Sequence, residues 1–512
     1  MVELTATQAL QRGVAAHKEG KPQVAERFYR AILKSEPQLP ATEHNKIVLA
    51  EAYTNLGVAL QQMGNLESAI EHYRKAIAIR PDYIQVYYTL GLALRNSGDL
   101  KASIDCYRQA VERMPNDVDA LNNLGAALQH SGELNAAIES YQKALEIDPG
   151  CVEVLNNMGI ALQANLDLGA AIDAYRQAIS INPAYANAHS NLGHALRDKG
   201  DLESSIECYK AALNINPKSA QAHNNMGNAL REAENYREAL EHFDFITAIE
   251  ANPANPQFWF NARSQALECL YHLERYSELE QRLKTLADSG DTNLRIAAVS
   301  AFVSHQLKFD DPYPFCRKPL DFLHVGNLSE HVSDVESFVD DLALEASREN
   351  QVWEPMHGVT KIGYQTSPTI FGAGANCEAL QKILRNEIAA YHAKFGAEDC
   401  TYMNRWPEKY ALRGWLARLV KKGYQTPHNH PSGWLSGVVY LKTIDSGESD
   451  EGAIELGLHG HELPVLDADY PRKTHQPKRG DIVLFPSSLF HRTIPFSADT
   501  ERCVIAFDLY RH

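Results

Sequence analysis

The stretch Tyr87–Pro115, YYTLGLALRNSGDLKASIDCYRQAVERMP, reads as two helices and a stop. Tyr87, Leu90, Gly91 and Leu94 form the apolar stripe of a first helix. Ser97, Gly98 and Asp99 make a turn, and Ile104, Tyr107, Ala110 and Val111 form the stripe of a second helix. Pro115 closes the unit at the start of the next helix, where a missing backbone donor costs nothing. Outward from this stretch the unit returns every 34 residues: Gly57, Gly91, Gly125, Gly159, Gly193 and Gly227 keep that beat, and so do Pro81, Pro115, Pro149, Pro183 and Pro217. Tyr73, Tyr107, Tyr141, Tyr175 and Tyr209 follow their glycines by sixteen residues, and Phe243 continues the series. Small residues at Ala69, Ser103, Ala137, Ala171, Ser205 and Ala239 let neighbouring helices approach closely. Fixed-period self-similarity of this kind predicts a solenoid.

This residue set resembles the tetratricopeptide repeat over seven units, roughly residues 5–253. The first unit (Gly13, Ala25, Tyr29, Pro37) stands ten residues off the beat, with an insertion around 38–48, and the seventh ends at Pro253, two residues late. Residues 254–310 read as a degenerate helical capping segment and linker. Asn55, Asn123, Asn157, Asn191 and Asn225 each lie two residues before a repeat glycine, with Thr89 in that place in the third unit. Two readings stay open for these amides. They bridge adjacent helices, or they form a ladder along the concave surface that holds an extended polypeptide, since an amide matches the peptide group as donor and acceptor. The NLG and NMG contexts resemble the repeats of eukaryotic protein O-GlcNAc transferases, and that likeness implies the ladder.

At 512 residues the chain exceeds what one hydrophobic core supports, so a multidomain protein is expected. The formal charge of −16 argues against nucleic-acid binding. The absence of an apolar run of about 18 residues argues against a membrane span. The N-terminal stretch MVELTATQALQRG lacks the pattern of a secretory signal. Eight scattered cysteines without a CxxC pair read as reduced thiols of a cytoplasmic protein.

Three prolines in DPYPFCRKPL (311–320) mark the boundary of a third segment, 311–512. Helices are expected at 331–348 and 376–394, then short β runs: YALRGWLARLV, WLSGVVYLKTI, GAIELGL, GDIVLFPSS and ERCVIAFDLY. These predict a double-stranded β-helix, or jelly roll, with flanking helices. His428 and His430 lie two apart in an extended segment and so project to the same side, while His491 follows a distant strand and Arg502 opens the last one. Three such ligands on one face of Fe(II) leave positions for a bidentate 2-oxoacid and for oxygen, and a deep arginine suits the oxoacid's far carboxylate.

The order HxHP, LSGVVYL, GDIVLFPS, H and then R in the final strand resembles the 2-oxoglutarate- and Fe(II)-dependent oxygenases of bacteria and phages, over roughly 318–512. By that likeness His428 and His491 are the first and last metal ligands and Arg502 binds 2-oxoglutarate. His430 stands where the wider superfamily carries Asp or Glu, so the centre is open between three histidines and two. Val504 replaces a hydroxyl residue that often helps hold the oxoacid, and Tyr440 is open between that role and a core role. Arg418 and Arg413 are the next candidates for the oxoacid, and His459-Gly460-His461 is a rival metal pair. The implied activity is oxidative decarboxylation of 2-oxoglutarate coupled to hydroxylation, with a protein or peptide in the repeat groove as substrate. Hydroxylation of a small metabolite, or a non-catalytic adaptor with a degenerate β domain, are the alternatives.

Overall fold

The 34-residue beat has its physical cause in the contact between each repeat glycine and the tyrosine sixteen residues later. In the computed structural model the glycine backbone of the first helix lies directly on the tyrosine ring of the second. A Cβ built on Gly57, Gly125 or Gly159 would stand 2.5, 2.6 and 2.5 Å from Cε1 of Tyr73, Tyr141 and Tyr175, closer than real carbon contacts come. The tyrosine hydroxyls donate to Oε1 of Gln61, Gln129 and Gln163 at 3.2, 3.2 and 3.3 Å, so each buried ring is held at its polar end as well. The small positions work in the same way: Ala69, Ala137 and Ala171 are fully buried, and the Ser103 hydroxyl donates to Gly91 O at 2.7 Å. A second glycine series makes the turn inside each repeat, at Gly64, Gly98, Gly132 and Gly200, with φ from +82° to +88°. Leu166 and Glu234 take the same left-handed place without being glycine, at φ 65° and 58°.

Residues 5–249, 256–313, 315–316, 318–353, 359–445, 447, 449–460 and 463–511 are described, apart from the side chains of Gln38 and of 256–260. Pro253, Pro314 and His461, which the sequence reading uses, lie outside them. The chain divides into two compact units, Met1–Ala233 and Glu234–His512.

The first unit is the helical solenoid. Its regular repeat is a 13-residue helix such as Val118–His130 followed by a 14-residue helix such as Leu134–Ile147. Asp117 caps the first by accepting from Ala120 N at 3.0 Å. One detail differs from the sequence reading. Pro115 lies in the two-residue turn just after the cap Met114, and the next helix begins at Val118. The proline therefore stops the preceding helix rather than starting the next one. The ten extra residues of the first repeat go into a short 3-10 turn at Glu36–Gln38 and into lengthening the next helix to Glu43–Gln62, 20 residues.

The second unit joins helices to a curled antiparallel sheet. Helices Tyr236–Ala248, Pro256–His272, Tyr276–Asp288 and Leu294–Leu307 lie in it. The last of them is tied to a loop of the sheet: Gln306 Oε1 accepts from the backbone of Leu466 and Asp467, both at 2.7 Å, and its Nε2 donates to Asp467 O at 2.9 Å. Helices Val335–Ala346 and Ala375–Phe395 stand close to their expected places. The strands among the described residues are β1 His324–Asn327, β2 Gln351–Trp353, β3 Thr360–Thr366, β4 Tyr410–His428 and β5 Leu435–Lys442, then β6 Ile454–Gly457, β7 Arg472–His475, β8 Asp481–Pro486, β9 Phe490–Thr493 and β10 Arg502–Arg511. Their order is β1-β8-β5-β10-β4-β9-β6-β7, with β3 also on β4 and β2 on β3. The 19-residue β4 changes partner along its length: Tyr410–Leu419 pairs with β10, and Gln425 and His428 pair with β9. Between these stretches Lys422 takes φ 67° and donates its N–H to Phe496 O at 2.8 Å, and this kink falls where the strand changes partner. No helix among the described residues is long and apolar enough to cross a membrane.

Replacing Gly125 with Ala forces a methyl group into the Tyr141 ring and should lower the stability of the repeat unit by about 1–3 kcal/mol. Urea denaturation followed by circular dichroism measures this. A double-mutant cycle with Tyr141→Leu should show coupling, because the obstructing ring is gone; equal costs in both backgrounds would separate the glycine from the ring.

Candidate active site

The kinked β4 ends on His428, and across the ladder from it stands His491 of β9. His430 follows two residues later in a turn, where its own N–H donates to Ser487 O and its carbonyl accepts from Gly433 N, both at 3.0 Å. The three rings face one another, with centroids 4.2 Å apart for His428–His491, 5.1 Å for His428–His430 and 5.0 Å for His430–His491. One nitrogen from each lies within 4.8 Å of the other two.

Their tautomers follow from what the other nitrogens touch. His428 Nδ1 is 2.7 Å from Thr426 O, and His491 Nδ1 is 3.4 Å from Leu489 O. A carbonyl oxygen only accepts, so both Nδ1 atoms carry the hydrogen and both Nε2 atoms present a lone pair. His430 Nδ1 lies 2.6 Å from Asp508 Oδ1 and donates to it, so Nε2 is the nitrogen left for a ligand. Burial disfavours the charged ring at His428 and His491, and neighbouring imidazoles add to the effect. His428 is pushed down to about 3 and His491 falls well below the usual histidine range. Neutral imidazole is the ligating form.

The cluster lines a cavity of about 250 Å³ together with Trp415, Gln425, Phe485, Thr493, Arg502 and Val504. Arg502, the first residue of β10, is 2% exposed. Its Nε donates to Gly452 O at 3.1 Å and its Nη2 to Tyr440 OH at 3.3 Å, while Nη1 has no partner among the described residues. A buried guanidinium without a carboxylate is costly, and the cavity it lines is therefore suited to an anion. Three imidazoles whose Nδ1 atoms are engaged elsewhere and one guanidinium with an unpartnered Nη1 thus fit a divalent metal together with a dianionic oxoacid.

Other residues of the sequence reading fall elsewhere. Tyr440 lies behind the guanidinium and does not line the cavity, though it is the register partner of Val504 and brings a hydroxyl close to where Val504 has none. Arg418 is paired with Glu501 at 2.7 Å, and the exposed Arg413 lies over the Tyr510 ring, so neither serves the cavity. His459 packs between Phe302 and Tyr470, with Nε2 3.0 Å from Leu463 O. Unread in the sequence were Asp508, Ser436 and Ser487 around His430, and the chain Thr493–Gln425–Thr360–Gln365, linked at 3.2, 3.4 and 3.1 Å. A signal for Asp508 existed. Arg502, Val504 and Ala506 all line the cavity, and the two-residue period of a strand continues that face to 508.

In the repeat unit the asparagine amides touch the preceding repeat. Asn157 Nδ2 donates to Asn122 Oδ1 at 3.0 Å, Asn191 Nδ2 to Asn156 Oδ1 at 2.8 Å, and Asn225 Nδ2 to Ser190 Oγ at 3.4 Å. The Oδ1 atoms of these three accept nothing from the described residues. Asn55 and Asn123, like them, are partly exposed.

The depressed histidines make the metal-free protein sensitive to acid. Unfolded histidine titrates near 6.5, above both folded values, so the stability they contribute is whole above that pH and is lost as pH falls below it. From pH 7 to 5 each buried neutral ring should account for up to about 2 kcal/mol. All five tryptophans lie in the second unit, so their fluorescence follows its unfolding. His491→Gln should flatten the pH dependence by about one proton; an unchanged slope would show that His491 ionises freely in the fold.

Comparison with known proteins agrees with both halves. The family described as "Putative 2OG-Fe(II) oxygenase" matches residues 413–508. Tetratricopeptide repeat families match residues 50–83, 88–150, 167–196 and 193–233. Among solved structures, MamA is 25% identical over 32% of this chain and 97% of its own, with a TM-score of 0.30. YrrB, described as a TPR protein with an unusual peptide-binding site, is 24% identical over 34% of this chain and 89% of its own, at 0.29. A tetratricopeptide repeat protein from Parabacteroides merdae is 15% identical over 51% of this chain and 97% of its own, at 0.42. No curated protein matches the chain. The chain thus carries tetratricopeptide repeats in its N-terminal region and, at residues 413–508, a domain of the 2OG-Fe(II) oxygenase type.

Proposed function

We propose that this protein is a 2-oxoglutarate- and Fe(II)-dependent oxygenase that hydroxylates a protein or peptide held by its repeats. The observation that carries the reading is the unpartnered Nη1 of buried Arg502 in the same cavity as three imidazoles with free Nε2 lone pairs. His428, His430 and His491 would hold the iron, which supplies the binding site for oxygen and the oxoacid and so drives oxidation of a C–H bond as 2-oxoglutarate becomes succinate and carbon dioxide. Arg502 grips the far carboxylate through the edge that carries Nη1. Tyr440 and Gly452 O fix the guanidinium plane before the anion arrives. Trp415, Val438, Ile454 and Phe485 wall the cavity with apolar surface and limit water around the reacting groups.

For the substrate, the bridging amides of Asn157, Asn191 and Asn225 still offer Oδ1 and a second N–H, the pair that a peptide group needs. A cavity of about 260 Å³ lined by Asn156, Asn187, Ser190, Asn191 and Asn216 supports a polar, sequence-tolerant groove. All eight cysteines are free, which suits the reducing cytoplasm.

Protein reconstituted without oxygen should take up about one Fe(II) per chain, and His428→Ala or His491→Ala should abolish succinate formation. His430→Ala decides between three ligands and two: loss equal to the other two supports three, retained iron supports two. Absence of iron uptake by the wild type would favour the adaptor reading.

Arg502→Ala should raise KM for 2-oxoglutarate by roughly 30- to 150-fold, about 2–3 kcal/mol, with iron content unchanged. Arg502→Lys should recover only part, lacking the planar fork. Equal dependence on 2-oxoglutarate in wild type and Arg502→Ala would remove this role.

Changing Asn123, Asn157, Asn191 and Asn225 together to Ala should weaken substrate binding by about 2–6 kcal/mol while 2-oxoglutarate turnover without substrate persists. Capture of hydroxylated proteins by both forms measures it. Equal capture would leave the amides a bridging role alone, and coupled turnover on a small molecule by both forms would favour a metabolite substrate.

A further inference from the structure

Asp508 has no assigned role, and its surroundings are unusual for a structural carboxylate. It is 3% exposed, yet no Lys or Arg pairs with it among the described residues. Oδ1 accepts from His430 Nδ1 at 2.6 Å and from Ser436 Oγ at 2.7 Å, and Oδ2 accepts from Tyr510 OH at 3.2 Å. Ser436 Oγ in turn lies 2.8 Å from Ser487 Oγ, and the carbonyl of Ser487 holds the backbone N–H of His430. The turn that carries His430 is packed onto this carboxylate: a Cβ on Gly433 would stand 2.9 Å from Ser487 Oγ and 3.1 Å from Asp508 Cβ. Backbone and ring of His430 are therefore held from one side by one network, and the free Nε2 faces the other two histidines.

Charge gives the arrangement its sense. His428 and His491 donate Nδ1 to backbone carbonyls, which carry no net charge. A divalent cation bound by three neutral imidazoles would lie beside Arg502 with no anion from the protein in contact with its ligands except the one behind His430. A buried carboxylate, conversely, needs a cation near it. We propose that Asp508 is the positioning residue of the metal centre: it fixes the His430 tautomer, makes that ring a better donor and supplies through it the negative charge that the three-histidine set lacks. This rests on the metal reading given above, and it favours His430 as a full ligand.

The test measures metal affinity and coordination rather than turnover. Fe(II) binding without oxygen is measured by competition with a chromogenic chelator, and bound imidazoles are counted on the Co(II) form by X-ray absorption. Wild type should show three imidazoles. Asp508→Asn keeps the shape and hydroxyl contacts but removes the charge, and it should weaken Fe(II) binding by about 10- to 100-fold. Asp508→Ala should also free the His430 ring and lower the count from three to two. Should the Ala variant fail to fold, the Asn variant, checked by tryptophan fluorescence, decides alone. Wild-type affinity and three imidazoles in the Asn variant would overturn the proposal and leave the metal centre standing. A wild type that binds neither metal would overturn both.

Discussion

Everything at the cavity depends on one bend in one strand. β4 runs beside β10 as far as Leu419 and beside β9 from Gln425, and the change of partner occurs at Lys422 and Gly423. A Cβ on Gly423 would meet the Ile362 and Val420 carbonyl oxygens at 2.6 and 2.7 Å, so the backbone there passes too close to β3 for any side chain. The bend lets one strand set His428 opposite His491 of β9 while its earlier part holds Arg502 of β10 beside Leu419. The three histidines and the guanidinium thereby line one cavity.

The electrostatic logic follows from that placement. Burial holds His428 and His491 neutral, and the same burial makes the lone guanidinium of Arg502 costly while its cavity stays empty of anions. The two effects have the same remedy. Under the proposed function a divalent ion would take the lone pairs that burial has kept free, and a dianionic ligand of that ion would also reach the guanidinium. Each component is more stable with the other two present, so binding of metal and oxoacid should be mutually reinforcing. On the proposal above, the Asp508 carboxylate behind His430 would complete that balance of charge.

How much of this was legible depended on whether the determinant was local. The glycine–tyrosine spacing shows in the sequence because both partners of that contact lie in one repeat and recur with it. His428, His430, His491 and Arg502 were legible because their spacing follows strand and turn geometry. Asp508 was legible only as a continuation of the cavity face of β10, since its partner His430 is 78 residues away and no local spacing announces that pairing. The strands β1, β2, β3, β7 and β9 were missed for a related reason. All but the seven-residue β3 have four residues or fewer, and His324–Asn327 gains its extended form by pairing with β8, not from its own composition. Pro115 was read in the right place with the wrong task, because a proline after one helix and a proline before the next look alike when only two residues separate it from the second helix.

The asparagine series shows why the two readings of a repeated polar residue need not exclude each other. A primary amide has two N–H groups and one oxygen, and the bridge to the preceding repeat uses one N–H. That bridge fixes the amide plane, so a peptide bound at the remaining groups would not have to order the side chain itself. Ordering a flexible side chain on binding costs about 0.5–1.5 kcal/mol, and several amides already ordered in register spare that cost at each repeat. Structural bridging would then be the source of the ladder's affinity. The exception is Thr89, whose hydroxyl donates to Val86 O at 3.0 Å within its own helix and so offers no such bridge. If these amides hold a peptide as proposed, the continuous part of the ladder would run from Asn157 to Asn225, where each amide is bridged to the preceding repeat.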